Sequence, residues 1–278
     1  MTNELAGQAA IITGGGRGFG EAIAKRFAAE GAAVTITSRN KAELDGVVRR
    51  IEAAGGRALA VEGDVTRRAD VERVVAVAEQ RFGPTALFVN NAGLSSPYGP
   101  IGVVDPDEWW RAQAVHQLAP YLYLTALLPG MRERRRGRVI VIASLGGLAV
   151  TRHLSAYGIG KGAQIKLAQQ VATENKEFGI ASFAIEPGTV FTQLAQDTID
   201  SPQAQKWFPG GVAYLKELKR TNPDPEPGYR ICTDMCVALA SGRYDELSGW
   251  YVEPKDDFDA LLARARGGEK PYHGGPGD

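Results

Sequence analysis

The chain has 278 residues, enough for one large α/β domain with a substantial core. Lysine plus arginine and aspartate plus glutamate balance at 32 each, so no global charge points to nucleic acid or a membrane surface. The 2 cysteines, Cys232 and Cys236, exclude a disulfide framework; their spacing suits buried thiols on one helix face. With no signal peptide and no apolar run of transmembrane length, a cytoplasmic protein is expected, without a nucleic-acid or membrane partner.

Ala9-Ala10-Ile11-Ile12-Thr13 reads as a short apolar strand that runs into a glycine-rich turn at residues 14–20. Ile23, Phe27 and Ala28 then mark an amphipathic helix that ends at Gly31. A second strand at 34–37 leads to a helix ending near Ala54, a turn at Gly55-Gly56 and a third strand at 58–61. A helix over 69–82 and a fourth strand at 86–89 follow. Strands alternating with helices of this length imply a parallel sheet covered on both faces. The pattern continues with a long helix near 107–134, a buried strand over 139–143, a helix over 155–178 and a strand at 180–185. The basic run Arg132, Arg134, Arg135, Arg136 and Arg138 is read as a solvated helix end favoured by the helix dipole. From 189 to 228 the periodicity fails and prolines accumulate, which predicts an irregular lid just past a strand end. A helix over 229–239 and a last strand at 249–252 complete the pattern, and the Gly- and Pro-rich end looks loosely held.

Three residues carry the chemistry. Tyr157 and Lys161 are four apart, so on a helix they share a face, and an ammonium beside a phenol favours the phenolate. Ser144 follows the apolar run at 139–143, which puts its hydroxyl at the carboxyl end of a strand. The set reads as a carbonyl-reducing or alcohol-oxidising centre beside a dinucleotide. The glycines Gly14, Gly18 and Gly20 keep Cβ atoms out of a turn whose helix N-terminus offers free N–H groups to a pyrophosphate. Where an NAD enzyme often has an acid, the second strand ends in Ser38-Arg39, and Arg17 sits inside the turn. Two guanidinium groups and a hydroxyl suit a 2′-phosphate, so NADP(H) is preferred, with NAD(H) the alternative. Asp64-Val65 stands where the adenine would lie.

The segments Thr13-Gly14-x-x-x-Gly18-x-Gly20, Asn90-Asn91-Ala92-Gly93, Ser144, Tyr157-x-x-x-Lys161 and Pro187-Gly188-x-x-x-Thr192 resemble, in order and spacing, the short-chain dehydrogenase/reductase family. The resemblance covers residues from about 5 to 255 and implies a single Rossmann-type doubly wound parallel sheet of about seven strands. It implies a ketoreductase or alcohol dehydrogenase with Tyr157 as acid and base and Lys161 lowering its pKa while bonding the nicotinamide ribose. Ser144 would steady the substrate oxygen. Gly14, Arg17, Gly18, Phe19, Gly20, Asn91, Ala92 and Gly93 would line the cofactor, and Pro187, Gly188, Val190 and Thr192 would hold the nicotinamide. Asn90 would tie strands together.

One position departs from the family's pattern. His116 stands where an Asn in the long helix is usual; with an unperturbed pKa near ~6.5 it either joins a proton relay or merely fills the Asn site as a packed side chain. His153 is expected in solvent at the substrate mouth, with Tyr98, Trp207, Phe208 and Tyr214 as aromatic lining or plain packing. The organisation expected is one dinucleotide-binding and catalytic domain over 1–265, its lid at about 189–228, and a flexible tail over 266–278. The substrate is expected to be a small carbonyl compound or alcohol. The resemblance also implies a homotetramer or homodimer built on the two long helices. A non-catalytic dinucleotide sensor is the competing reading, since fold does not fix function.

Overall fold

The structure, a computed structural model, describes residues 3–271. Seven strands form one parallel sheet: β1 Ala9–Thr13, β2 Ala33–Ser38, β3 Arg57–Glu62, β4 Thr85–Asn90, β5 Gly137–Ile142, β6 Ile180–Ile185 and β7 Tyr251–Val252. Their order is β3-β2-β1-β4-β5-β6-β7. Chain direction through the sheet therefore reverses between β1 and β4, where open α/β sheets place their ligands. In register, Ile11 lies beside Thr35 of β2 and Phe88 of β4.

Both faces of the sheet are apolar, which is why its strands read as continuous hydrophobic runs. Ile12, Ile140 and Ile142 point to one face, where they meet Ile23 and Phe27 of α1 (Gly18–Ala29) and Leu44 and Val47 of α2 (Lys41–Ala53). Ile11, Val139 and Val141 point to the other. There they meet α3 (Arg68–Phe82), and Tyr123 stacks on Phe88 at 5.0 Å.

The long helix over 107–134 is three pieces: α4 (Pro106–Gln113), a π-helical turn (Ala114–Leu118) and α5 (Ala119–Arg134). Pro120 has no N–H to offer the carbonyl of His116 four residues earlier, so the regular ladder is broken there and a wider turn takes its place. Next come α6 (Ser155–Asn175) and a short 3-10 turn at Lys176–Phe178.

The irregular segment expected over 189–228 is helical instead. It holds α7 (Gln193–Asp200), α8 (Pro202–Trp207), α9 (Pro209–Thr221) and the first turn of α10 (Glu226–Ser241). Pro202, Pro209 and Pro227 occupy first-turn positions, where an amide has no helical partner to lose. Prolines there start helices rather than break them. Thr192 caps α7 through the Ala195 N–H, and Ser201 caps α8 through the Ala204 N–H.

An unexpected helix, α11 (Phe258–Arg266), buries Leu261 and Leu262 against the core. The expected tail overlaps its last residue, and residues 272–278 of that tail lie outside the described part. Cys232 and Cys236 are buried free thiols on α10. The basic run is structural: Arg132 bonds Asn175, Arg134 the Thr85 carbonyl, and Arg138 forks onto Asp245 at 2.7 Å through both nitrogens. Among the described residues no helix is long and apolar enough to cross a membrane.

Candidate active site

The ends of β1 and β4 are laced together at the sheet's switch point. Thr13 Oγ1 accepts the N–H groups of Asn91 and Ala92 at 3.0 and 3.1 Å. Asn91 Nδ2 donates back to the carbonyls of Thr13 and Gly14 at 2.9 and 3.3 Å. The tie is thus made by Asn91. Asn90, expected to make it, is buried with its Nδ2 unpartnered.

The glycines of the turn are sterically required. A Cβ on Gly20 would lie 2.2 Å from the Gly14 carbonyl, and one on Gly14 would lie 2.9 Å from Asn91 Nδ2. Arg17, at the N-cap of α1, supplies no side-chain cap, so the first-turn amides that begin at Gly18 keep their donors for an anion. This donor set fits the pyrophosphate of a dinucleotide. Phe19 packs edge-on against Tyr229 at 5.2 Å, so its ring serves the α1–α10 contact.

Around the expected 2′-phosphate position the charges are mixed. Arg39, at the end of β2, makes no hydrogen bond or ion pair among the described residues and is exposed. Arg17 pairs with Asp197 of α7 at 3.2 Å. Ser38 Oγ accepts the Asn40 N–H at 3.3 Å. Glu43, which the sequence reading passed over, turns its carboxylate to the same spot: a Cβ on Gly16 would lie 3.2 Å from Glu43 Oε2 and 3.4 Å from Ser38 Oγ. Asp64 accepts the N–H and hydroxyl of Thr66 at 2.9 and 2.6 Å, while Val65 is buried in the core.

Ser144, Tyr157 and Lys161 converge at the carboxyl end of β5. Ser144 Oγ accepts the Gly146 N–H at 3.1 Å, and a Cβ on Gly146 would lie 3.5 Å from that oxygen and 3.1 Å from Tyr157 Cε1, so the two side chains share one site. Lys161 Nζ lies 5.8 Å from the Tyr157 ring centre. It donates to the Ile142 carbonyl at 2.6 Å and to Gln164 Oε1 at 3.1 Å. Burial brings the Lys161 pKa down to about 8, against a raising effect from Glu186. The expected lowering of the Tyr157 pKa by Lys161 is not seen in this arrangement. Burial outweighs the lowering effect of the Ser144 hydroxyl and holds the phenol above its ordinary value, with Glu186 and Tyr98 adding to the rise.

His116 is fully buried and stands edge-on to Tyr157, ring centres 5.9 Å apart. Its Nε2–H donates to the Leu94 carbonyl at 2.9 Å, which fixes the tautomer and leaves Nδ1 as a buried acceptor without a partner. Burial and the nearby Lys161 charge depress its pKa to about 3. The expectation of an imidazole titrating near neutrality is therefore corrected: His116 is neutral.

The loop after β6 carries Pro187, Gly188, Val190 and Thr192, and of these Thr192 reaches the glycine turn. Val190 packs on Gly228, and Thr192 lies next to Gly18, 3.9 Å from where its Cβ would be. Above them, Tyr98 is buried, bonds Thr198 at 2.7 Å and stacks on Phe208 at 6.1 Å. His153, expected in solvent, donates from Nδ1 to the Trp207 carbonyl at 2.6 Å and sits edge-on to that ring. Tyr214 stays exposed and outside this cluster. Sequence reading missed Gln164, Glu186 and Tyr251 around the site: Gln164 and Tyr251 lie inside a predicted helix and strand and Glu186 just past a predicted strand, with no spacing signal to mark them.

These features define a Rossmann-type oxidoreductase, and comparison with known proteins places it. The short chain dehydrogenase profile matches residues 8–203, and the chain belongs to that family. It is an oxidoreductase of alcohol and carbonyl groups, in a family that uses nicotinamide cofactors. A short chain dehydrogenase of Pseudocercospora fijiensis is 32% identical over 94% of this chain and 84% of its own. The 2,5-dichloro-2,5-cyclohexadiene-1,4-diol dehydrogenase of Sphingobium indicum is 37% identical over 70% of this chain and 77% of its own. A gluconate 5-dehydrogenase from Burkholderia cenocepacia, solved with NADP and tartrate, superposes with a TM-score of 0.76 at 26% identity, over 91% and 95% of the two chains.

Proposed function

We propose that the chain is an NADP(H)-dependent reductase of ketones, run in reverse on secondary alcohols. The observation that carries this reading is the convergence of Ser144 and Tyr157 at Gly146, where a Cβ would lie 3.5 Å from Ser144 Oγ and 3.1 Å from Tyr157 Cε1, with Lys161 one helical turn away. The nicotinamide supplies the hydride. Tyr157 gives its proton to the substrate oxygen, and Ser144 donates to that oxygen as charge develops on it. Lys161 holds a positive charge beside the phenol and is free to exchange Gln164 for a ribose hydroxyl. Its part is to steady the phenolate once the proton has gone. His116 stays neutral and offers Nδ1 as an acceptor on the Lys161 side of the site.

The turn at Gly14, Gly18 and Gly20 and the loop Asn91-Ala92-Gly93 would hold the pyrophosphate and the ring-side ribose, with Pro187, Gly188, Val190 and Thr192 over the nicotinamide. Arg39 and Arg17 support a 2′-phosphate. The Glu43 carboxylate beside Ser38 favours the second reading, NAD(H), because a carboxylate there accepts ribose hydroxyls and repels a phosphate. Helices α7 to α9 act as a helical lid over the substrate, and the buried Tyr98 with the half-buried Phe208 stacked on it favours a partly apolar ketone. A homo-oligomer through α4, α5 and α6 is supported by the exposed rings of Trp110 and Tyr121.

The test is cofactor oxidation over a ketone panel with NADPH and NADH, on wild type and Tyr157→Phe. Turnover in wild type that drops at least a thousandfold in Tyr157→Phe supports the reading. Tight cofactor binding with no turnover on any substrate supports the sensor instead.

A further inference from the structure

Glu186 is a buried carboxylate with no part in the scheme above. It follows β6 directly, precedes Pro187, and is 9% exposed. Its Oε2 accepts the Tyr251 hydroxyl at 3.2 Å and the backbone N–H of Leu145. Leu145 is the residue after Ser144, so the carboxylate grips the peptide from which Ser144 projects. On the opposite side the Gly146 N–H grips Ser144 Oγ. A buried carboxylate is strongly disfavoured unless hydrogen-bonded and charge-compensated. Here β7 supplies the hydroxyl, the Ser144 turn supplies the amide, and α6 supplies the compensating Lys161.

The titratable groups that face Glu186 are Tyr157 and Lys161 from α6 and Tyr251 from β7, with Glu253 just beyond that strand. The charge of Glu186 raises the proton affinity of the first three alike. It thus opposes phenolate formation at Tyr157 and favours the charged form of Lys161.

We propose that Glu186 is a positioning residue of the reaction centre, pinning the Leu145 amide so that Ser144 stays aimed at Tyr157 and placing its negative charge on the side of Tyr157 and Lys161. The inference rests on Tyr157 being the acid–base group. Two effects are combined in one side chain, reach and charge, and two substitutions separate them. Glu186→Gln keeps the reach and removes the charge. Glu186→Asp keeps the charge and withdraws it from Leu145.

The experiment measures kcat and kcat/KM against pH in both directions, with thermal melts as a control on folding. In Glu186→Gln both limbs of the profile move to lower pH by about half a unit or more, with kcat at the optimum within about threefold of wild type. In Glu186→Asp the limbs stay in place and kcat falls about tenfold or more. Folded Glu186→Gln with unmoved limbs, or folded Glu186→Asp with wild-type kcat, overturns the proposal. If Glu186→Gln does not fold, Glu186→Asp decides alone. Tyr157→Phe run alongside separates the two levels: a fully active Tyr157→Phe overturns the assignment of Tyr157 itself. An inactive Tyr157→Phe with an indifferent Glu186 overturns only the role of Glu186.

Discussion

His116 Nε2 lies 2.9 Å from the carbonyl oxygen of Leu94, at the π-turn that Pro120 forces into the long helix. This bond holds the imidazole in one tautomer, and burial keeps it uncharged down to a pKa of about 3. A histidine buried neutral must charge when the chain unfolds in acid, so folding stability depends on it. The folded pKa lies below the ordinary value near ~6.5. The stabilising contribution is therefore complete above about pH 6.5 and is lost as the pH falls toward about 3. Its upper bound is on the order of 5 kcal/mol. Melting temperature against pH should fall less steeply over that window in His116→Asn than in wild type. Activity follows the hydrogen bonding and not the charge: His116→Asn keeps most of it, His116→Ala lowers it, and neither moves the limbs of the pH profile. Wild-type activity in both variants across pH would remove His116 from the mechanism.

Gly160, one residue before Lys161, is the point at which α6 presses on His116. A Cβ there would lie 2.7 Å from His116 Cβ, Cγ and Cδ2. Helix propensity alone says that Gly160→Ala stabilises by about 1 kcal/mol. Overpacking a filled core works the other way, by about 1–3 kcal/mol. The atoms met are at the root of the His116 side chain and move only with the π-turn backbone, so the steric effect wins. Gly160→Ala should lower the melting temperature by several degrees and reduce kcat by displacing Lys161. A more stable Gly160→Ala would show that the contact relaxes.

Much of this was legible in the residues themselves, and the failures have physical causes. The seven strands were readable because both sheet faces are covered, leaving uninterrupted apolar runs such as 139–143. Ser144, Tyr157 and Lys161 were readable because a strand end and a four-residue helical spacing bring them together. The lid was misread because prolines at 202, 209 and 227 were taken as breakers, whereas first-turn prolines begin helices. The π-turn had a signal in Pro120, four residues after His116. The sense of the Tyr157 shift depends on where Lys161 Nζ points, and Gln164 and the Ile142 carbonyl decide that. Glu186 and Tyr251 lie 65 residues apart in sequence, and their contact follows from the β6–β7 pairing.

The ion pair between Arg17 and Asp197 joins the cofactor turn to α7 at 3.2 Å, with both side chains about half exposed. Such a pair is worth about 0.2–1 kcal/mol. A 2′-phosphate would compete with Asp197 for the same guanidinium. Asp197→Asn should therefore tighten NADPH binding by up to about fivefold, the equivalent of that energy, while leaving NADH binding nearly unchanged. Arg17→Ala should weaken NADPH alone. Glu43→Gln, which removes the opposing carboxylate, should shift preference further toward NADPH. Fluorescence titration with both nucleotides reads all three, and equal effects on the two cofactors would refute a 2′-phosphate site here.

The outer face of α4, α5 and α6 carries a groove of about 430 Å³ lined by Trp110, Leu118, Tyr121 and Leu167 among others. Trp110 is 68% and Tyr121 60% exposed. In the proposed homo-oligomer, this cluster of water-facing aromatics on one face is the surface that would be covered. The polar floor is already satisfied internally, since Gln117 bonds Gln113 and Gln113 bonds the Ala156 carbonyl. That leaves the rings as the available contact, and it places the seam directly behind the helix that bears Tyr157 and Lys161. A Trp110→Glu, Tyr121→Glu double variant should elute at a smaller size than wild type in gel filtration with light scattering. Its melting temperature should become independent of protein concentration. Because α6 loses its outer support, kcat should fall more than cofactor affinity. A wild type that is monomeric at micromolar concentration would overturn the assembly through this face.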